Sequence, residues 1–144
     1  MSQGPPAPGV GFVSVPLDAS VVAALPPGAA VFVTSTGTLE AAEGVSGGAA
    51  LVLGLLGETA QPGNRGLVMF LGYLSLPEST WNGIVTGGAP TGLTPGARYY
   101  VSPTNPGQIT STAPTSGAQR VYQVGVALSA NTMIVRPTGP GKQN

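Results

Sequence analysis

The sequence contains no cysteine and no histidine. The lack of cysteine excludes disulfides and thiolate chemistry, and the two absences together exclude histidine general bases and the usual kinds of zinc site. The single lysine, Lys142, lies close to the C-terminus, in a segment with nothing to pack against. A small hydrolase or isomerase built on a β-barrel is the enzyme alternative, but no side-chain set supplies both a nucleophile and a base. The sequence therefore predicts no catalytic residues, no cofactor, no metal site and no enzyme activity.

Charged residues are also scarce, at 7% of the chain against roughly a quarter in an ordinary soluble domain. A surface with so little charge is weakly protected against association, so we expect other protein to cover much of it. The net charge of +0 leaves no basic stripe for phosphates, so neither nucleic acid nor an anionic membrane is an expected partner. The longest apolar run, Ala49 to Gly57, is too short to span a bilayer. The N-terminus lacks a signal-peptide pattern, so we expect no export by the general secretory route.

Glycine and proline are abundant, with 23 and 15 residues. Together they approach the content at which disorder becomes the default prediction, but hydrophobic residues make up 42% of the chain, too many for a chain that never packs. An all-β fold reconciles the two observations, because its many tight turns use glycine and proline. At least one end of the chain is expected to be flexible.

Short apolar bursts separated by turn-forming residues predict strands along most of the chain. No burst in the C-terminal half is long enough for an ordinary helix. The predicted strands are Ala30 to Val33, Ala50 to Leu56, Leu67 to Leu71, Tyr99 to Val101, Val121 to Leu128 and Met133 to Val135. The second and third of these are nearly all apolar, which indicates strands buried on both faces.

A strand-and-turn pattern occurs twice. At one constant offset, residues of the first half match residues of the second: Leu25, Pro27, Gly28, Ala29, Phe32 and Val33 with Leu93, Pro95, Gly96, Ala97, Tyr100 and Val101. Further on, Leu53-Gly54-Leu55 aligns with Val124-Gly125-Val126. The pattern predicts two similar modules, at about 25–72 and 93–137 and linked by 73–92. Two such units form one sheet system rather than a solenoid.

Two short helices are candidates. Asp18 is a suitable cap for one helical turn over Ala19 to Leu25, although the β-branched residues there fit a strand nearly as well. The sequence Ser75-Leu76-Pro77-Glu78 has the form of a capping box with proline in the first turn. It predicts a helix over about 76–82, with Trp81 facing inward between the modules.

The two ends of the chain differ from the middle, a β domain predicted for 17–137. Residues 1–16 are predicted to form a flexible, extended arm, because prolines dominate its start and Val10, Phe12, Val13 and Val15 make its end apolar. That apolar segment either packs as a first strand on the chain's own sheet or binds a sheet edge of a partner. Residues 138–144 are predicted to be a loose tail.

The four arginines fall in or beside predicted strands and turns. They are candidates for setting the register of an interface, by pairing with one of the few carboxylates or with carbonyl groups of another subunit. An ordinary solvated arginine is the alternative for each. The four are Arg65, Arg98, Arg120 and Arg136.

One family resemblance adds to these predictions. The segments Leu93-Thr94-Pro95-Gly96, Tyr99-Tyr100-Val101, Gly107-Gln108-Ile109-Thr110, Val124-Gly125-Val126-Ala127-Leu128 and Met133-Ile134-Val135 resemble small β domains of tailed-bacteriophage virions. The pattern is most similar to head decoration, or cement, proteins of the lambda type and to two-module capsid cement proteins. The resemblance covers 25–137, and a proline- and glycine-rich arm before a β domain is also similar to that family.

The resemblance implies a β-tulip-like domain that forms a homotrimer. Such trimers are made in the host cytoplasm and bind the outer surface of the expanded phage head, at three-fold and quasi-three-fold positions. There they hold neighbouring copies of the major capsid protein together against the pressure of packaged DNA. The many prolines, which lower the entropy of unfolded loops, suit a siphophage of hot habitats.

A second interpretation is a β module of a phage tail fibre or baseplate, with a receptor-binding or structural role. It shares the strand-and-turn pattern. It requires an exposed ligand surface rich in aromatic residues, whereas the few aromatics of this chain lie mostly within predicted strands.

Overall fold

The structure, a computed structural model, describes residues 11–42, 52–86, 92–113 and 121–141. Within these ranges the chain is all-β, as predicted, with nine strands and one short helix. The strands are β1 (Gly11–Pro16), β2 (Ala30–Val33), β3 (Leu39–Ala41), β4 (Val52–Leu56), β5 (Arg65–Ser75), β6 (Arg98–Val101), β7 (Ile109–Thr110), β8 (Val121–Ala127) and β9 (Thr132–Gly141). The helix α1 (Glu78–Ile84) lies between β5 and β6.

The strands form one antiparallel sheet in the order β3-β2-β4-β5-β9-β8-β6-β7, with β1 added beside β5. The sheet curls into a half-barrel, in agreement with the predicted barrel-like domain. Its two ends come together at Gly107, whose amide donates to the Ala42 carbonyl (2.8 Å) and whose carbonyl accepts from the Ala30 amide (3.0 Å). The two modules, β2 to β5 and β6 to β9, are therefore joined by these hydrogen bonds as well as by the pairing of β5 with β9.

The turn that opens each module has the same geometry. Gly28 and Gly96 both adopt a left-handed backbone, with φ of 86° and 82°, which glycine tolerates at no steric cost. The Gly28 amide donates to the Leu56 carbonyl (2.7 Å), and the Gly96 amide donates to the Ala127 carbonyl (2.8 Å). The residues matched in sequence thus occupy matched positions in the fold.

The repeat also includes an irregularity and extends further than predicted. The pairing of β2 with β4 shifts register directly after Val31, and that of β6 with β8 directly after Tyr99. Upstream, Leu17 and Val85 each make a parallel bridge to the edge strand of their own module, β3 or β7. The likeness between the modules therefore reaches back to Leu17 and Val85, upstream of the predicted starts at about 25 and 93.

The modules differ in what precedes these residues. In module 1 the chain arrives through strand β1, whereas in module 2 it arrives through helix α1. Trp81 of α1 is fully buried, as predicted, and its indole Nε1 donates to the Asn131 carbonyl (2.7 Å). This hydrogen bond satisfies the polar atom of the largest core side chain and fixes α1 against the end of β9.

The predicted capping box is wrong. The helix begins at Glu78 and Pro77 precedes it without a side-chain cap, so the element lies about two residues further along than 76–82. Ser75 remains part of β5, opposite Thr132, and the two hydroxyl groups are 2.7 Å apart. The serine is therefore unable to cap the helix, because strand pairing holds its side chain elsewhere.

No helix forms over Ala19 to Leu25. The Asp18 carboxylate instead accepts from the Ser20 amide (3.0 Å), which closes a local turn. Leu25 then exchanges two backbone hydrogen bonds with Ala60. The side-chain hydrogen bond predicted for Asp18 exists, but it closes a turn rather than starting a helix, because Leu25 pairs with Ala60.

The tail begins later than predicted. Thr138 pairs with Gln123, and Gly141 pairs with Val121, so residues 138–141 extend β9 along β8. The prediction of a loose tail over 138–144 is therefore wrong for its first four residues, and 142–144 lie outside the described residues.

One core runs through both modules. Its largest fully buried side chains come from five of the strands, from α1 and from the segment before β6: Trp81, Tyr99, Leu39, Leu55, Leu56, Leu93, Ile109 and Met133. Leu39 of β3 and Ile109 of β7 occupy matched positions in the two modules and are both fully buried. The core is thus built from the same positions twice.

Candidate functional site

Strand β1 lies on the chain's own sheet. It pairs antiparallel with the first part of β5, so that Phe12 lies opposite Met69 and Val15 opposite Gly66. The structure therefore corrects the prediction of a flexible arm for 11–16 and favours the alternative, a first strand of the domain. Residues 1–10, including the predicted arm residue Val10, lie outside the described part of the chain.

A side-chain clamp holds β1 in place. Arg65, at the start of β5, donates from Nε to the Ser14 hydroxyl and from Nη2 to the Ser14 carbonyl, both at 2.9 Å. The planar guanidinium matches two acceptors of one residue, which fixes direction as well as distance. Arg65 thus holds β1 within this chain, and its predicted contact with another subunit stays a prediction.

The pair β1–β5 carries most of the large apolar side chains that the described residues expose. Phe12 is 45% exposed and Tyr73 is 64% exposed, and three neighbours are exposed to a similar degree. We call this group the apolar patch: Phe12, Val13, Phe70, Leu71 and Tyr73. The group is defined by exposure along this strand pair and spans both of its faces, because the consecutive residues Phe12 and Val13 point to opposite sides of β1. Exposed apolar residues that are grouped in this way are typical of an interaction site, whereas single ones are ordinary.

Irregular pairing turns these side chains outward. The register of β1 and β5 shifts between Gly11 and Phe12, so that consecutive residues Phe70 and Leu71 both reach the surface. The Phe70 ring covers Gly11, where an added Cβ would lie 2.7 Å from ring carbons. The prediction that Leu67 to Leu71 is buried is therefore wrong at its last two positions.

The patch borders an open strand edge. In the parts of the chain that the structure describes, β1 pairs with β5 alone, so its outer edge has no strand partner. Such an edge is a template for an added strand, with main-chain hydrogen bonds for affinity and flanking side chains for selectivity. The edge of β1 and the apolar patch together form the candidate functional site, which is a docking surface.

The other predicted site residues have different fates. Val15 is half-buried and packs against the core, so it stabilises β1 rather than facing a partner. Arg98 and Arg136 are exposed, and neither side chain makes a hydrogen bond or an ion pair with the described residues. Arg120 lies outside the described residues. The structure brings Phe12 and Val13 into the site and leaves Arg98 and Arg136 outside it.

A small cavity of about 150 Å³ lies between the modules. Leu25, Pro26 and Ile84 make its wall apolar, and its one amide side chain, Gln108, already accepts from the Thr86 hydroxyl (3.1 Å).

No described group of three or more His, Cys, Asp or Glu side chains is placed to hold a metal ion. Among the described helices none is long and apolar enough to cross a membrane.

One carboxylate has a perturbed pKa. The hydrogen bond from the Thr38 hydroxyl (2.6 Å), followed by the bonds from Ser20, lowers the pKa of Asp18, because these donors favour the charged form. Asp18 lies beside β3, away from the apolar patch, so the shift describes local stability rather than chemistry at the docking surface.

No protein-family model matches the chain, and no curated protein matches it.

The exposure of Phe70, Leu71 and Tyr73 was not predicted from the sequence. The nearest available signal was the apolar run itself, which continues past Leu71 to Tyr73 and is longer than one buried strand needs.

Proposed function

We propose that this protein is a structural virion protein: a homotrimeric decoration, or cement, protein that binds the outside of an expanded phage head. It acts at three-fold and quasi-three-fold positions and stabilises the capsid against the pressure of packaged DNA. The partner at the docking surface is the major capsid protein. The family resemblance of 25–137 motivates the proposal, and the apolar patch beside an open edge is the observation that carries it.

The docking surface suits a binding role without catalysis. Phe12, Phe70 and Tyr73 offer large, stiff apolar area, and β1 offers a strand edge that pairs with no second strand among the described residues. A strand of the capsid protein added to β1 gains hydrogen bonds and covers the patch in one step. Because β1 is already ordered on β5, binding avoids the roughly 2–5 kcal/mol that ordering a free segment costs.

Trivalent attachment strengthens a modest contact. Three copies of the docking surface on one trimer raise the effective concentration of the second and third contacts once the first has formed. Each single contact is then free to be weak and reversible, because the other two contacts keep the trimer on the head. This mechanism replaces a flexible arm by a fixed edge and keeps the predicted capsid partner.

Co-sedimentation with purified, expanded heads tests the proposal. Phe12→Asp introduces an unpaired charge into the covered surface and should weaken head binding by about tenfold or more, without unfolding the exposed strand. Val22→Asp is the matched control, because Val22 is 85% exposed and lies outside the patch. Equal head binding by Phe12→Asp, Val22→Asp and the original protein contradicts the proposed surface, and no head binding by the original protein contradicts the function.

One observation favours the second candidate, a module of a tail fibre or baseplate. That role requires exposed aromatic residues, and Phe12, Phe70 and Tyr73 are grouped at the surface. Binding to intact host cells separates the two candidates. A tail module should bind cells and not heads, and the same Phe12→Asp variant should then lose cell binding.

A further inference from the structure

The charges of this neutral chain are divided between its halves. Residues 17–75 carry four carboxylates and one arginine, a net charge of −3, whereas residues 76–144 carry four cationic side chains and one carboxylate, a net charge of +3. The acidic residues of the first half are Asp18, Glu40, Glu43 and Glu58, and the basic residues of the second are Arg98, Arg120, Arg136 and Lys142. Module 1 is therefore acidic and module 2 is basic.

Two of the arginines share one face of module 2. Arg98 on β6 lies in register with Val126 on β8, which lies in register with Ile134 on β9. The ladder shifts register between Val135 and Thr138, but the buried Val135 separates Ile134 from the exposed Arg136, so these two lie on the same, outer side of the sheet. We call Arg98 and Arg136 the basic face. Both side chains are exposed and unpaired within the described residues, and the module 1 counterpart of Arg98 is the buried, uncharged Ala30.

Two carboxylates lie together at the outer strand of module 1. The Asp18 amide donates to the Leu39 carbonyl (3.0 Å) and its carboxylate accepts from the Thr38 hydroxyl, which holds Asp18 beside β3. Glu40 is the next residue of β3 after Leu39. We call Asp18 and Glu40 the acidic edge. The Glu40 side chain has no hydrogen-bond or ion-pair partner in the described chain.

The matched edge of module 2 is uncharged. There the Thr86 amide donates to the Ile109 carbonyl (2.7 Å), the bond equivalent to that of Asp18, and Thr110 occupies the position of Glu40. The two edges share a backbone framework and differ in charge. The two acidic positions of module 1 are thus occupied by neutral residues in module 2.

We propose that the acidic edge of one copy binds the basic face of a second copy, so that the chains associate head to tail. A second copy is the partner whose charges complement these faces, because the +3 and −3 halves cancel and the described residues contain no ion pair that satisfies them internally. Contact between two different surfaces is heterologous, and it generates a ring if the rotation closes. The inference rests on the self-association in the proposed function, but not on binding to heads.

Charge reversal tests the contact by sedimentation velocity. The original protein should associate at about 20 mM NaCl and dissociate in part at about 500 mM, because salt screens exposed charge pairs. Glu40→Arg alone, and Arg98→Glu with Arg136→Glu, should each weaken self-association by about tenfold or more through like-charge contact. An equimolar mixture of the two variants should associate again, since each presents the face that the other needs.

Glu78→Arg is the matched control. It makes the same change of charge at an exposed carboxylate outside both faces, and it should leave self-association unchanged. A monomeric original protein, association that ignores salt, or variants that do not complement each other in the mixture overturns the inference. Head binding by co-sedimentation is measured separately, so that loss of the proposed function leaves the outcome for the head-to-tail contact distinct.

Discussion

Any side chain at Gly125 or at its counterpart Gly54 should destabilise the fold. We take Gly125→Ala as the test of the close approach between β8 and β9. A Cβ at Gly125 would lie closer than 3.0 Å to the backbone carbonyl oxygen of Ile134, whereas ordinary contacts begin at 3.4 Å. The obstacle is the neighbouring strand itself, since Val126 and Ile134 form a pair of the ladder between β8 and β9. Strand β9 would therefore have to move away from β8, because the obstacle is a backbone atom and no side-chain rotation relieves the contact.

The cost follows from that displacement. Overpacking of this kind costs about 1–3 kcal/mol, and weakening two ladder hydrogen bonds adds roughly 0.5–1.5 kcal/mol for each bond affected. We expect Gly125→Ala to lower the free energy of unfolding by about 2–6 kcal/mol, which corresponds to a fall in Tm of roughly 6–20 °C for a domain of this size. Gly54→Ala should behave alike, because its Cβ would meet the Met69 carbonyl in the same way.

Thermal and urea denaturation followed by circular dichroism measure the effect. Gly83→Ala is the control, since it adds the same methyl group within α1 where nothing lies within 4 Å. It should stabilise the protein by up to about 1 kcal/mol, because alanine is the better helix former. If Gly125→Ala unfolds within about 0.5 kcal/mol of the original protein, the close approach of β8 and β9 is wrong.

Three further changes test other parts of the fold. Trp81→Phe should cost about 1–3 kcal/mol in urea denaturation, because it leaves the Asn131 carbonyl without its donor; an unchanged midpoint refutes that bond. Asp18→Asn should be less stable than the original protein at neutral pH. The lowered pKa of Asp18 means that its stabilising contribution is complete above the unfolded-state pKa and is lost as pH falls through the folded-state pKa, so the difference should vanish in acid. Arg65→Gln should speed amide exchange in β1 while leaving exchange in β6 unchanged, and equal protection of β1 in both proteins contradicts the clamp.

The strands and the repeat were predictable because they depend on local signals. Turn residues such as Gly28 and Gly96 recur at one spacing, and the left-handed backbone that they adopt is a property of glycine. The burst at Ala30–Val33 was predicted with its observed bounds. The buried Trp81 was also predicted, since a lone tryptophan on a short helix has few other ways to be covered.

The docking surface was not predictable in the same way. The apolar pattern along Gly11–Pro16 predicts a strand, but it does not indicate which strand pairs with it. The actual partner, β5, is distant in the sequence. The exposure of Phe70 and Leu71 depends on a register shift against β1, which involves two segments at once. Ser75 likewise has the residue type of a helix cap, but pairing with Thr132 decides its role. Non-local pairing is the common reason for these errors.

The two modules show where a repeated fold is free to diverge. Matched positions that face the core keep their character, as with Leu39 and Ile109, because a change of volume there costs stability in both halves of one shared core. Matched positions at the surface carry no such constraint, so Glu40 and Thr110 differ in charge on the same backbone. Duplication followed by surface divergence gives one chain two unlike faces with a common framework. Head-to-tail association needs such a pair of faces, whereas identical modules would offer only like charge to like.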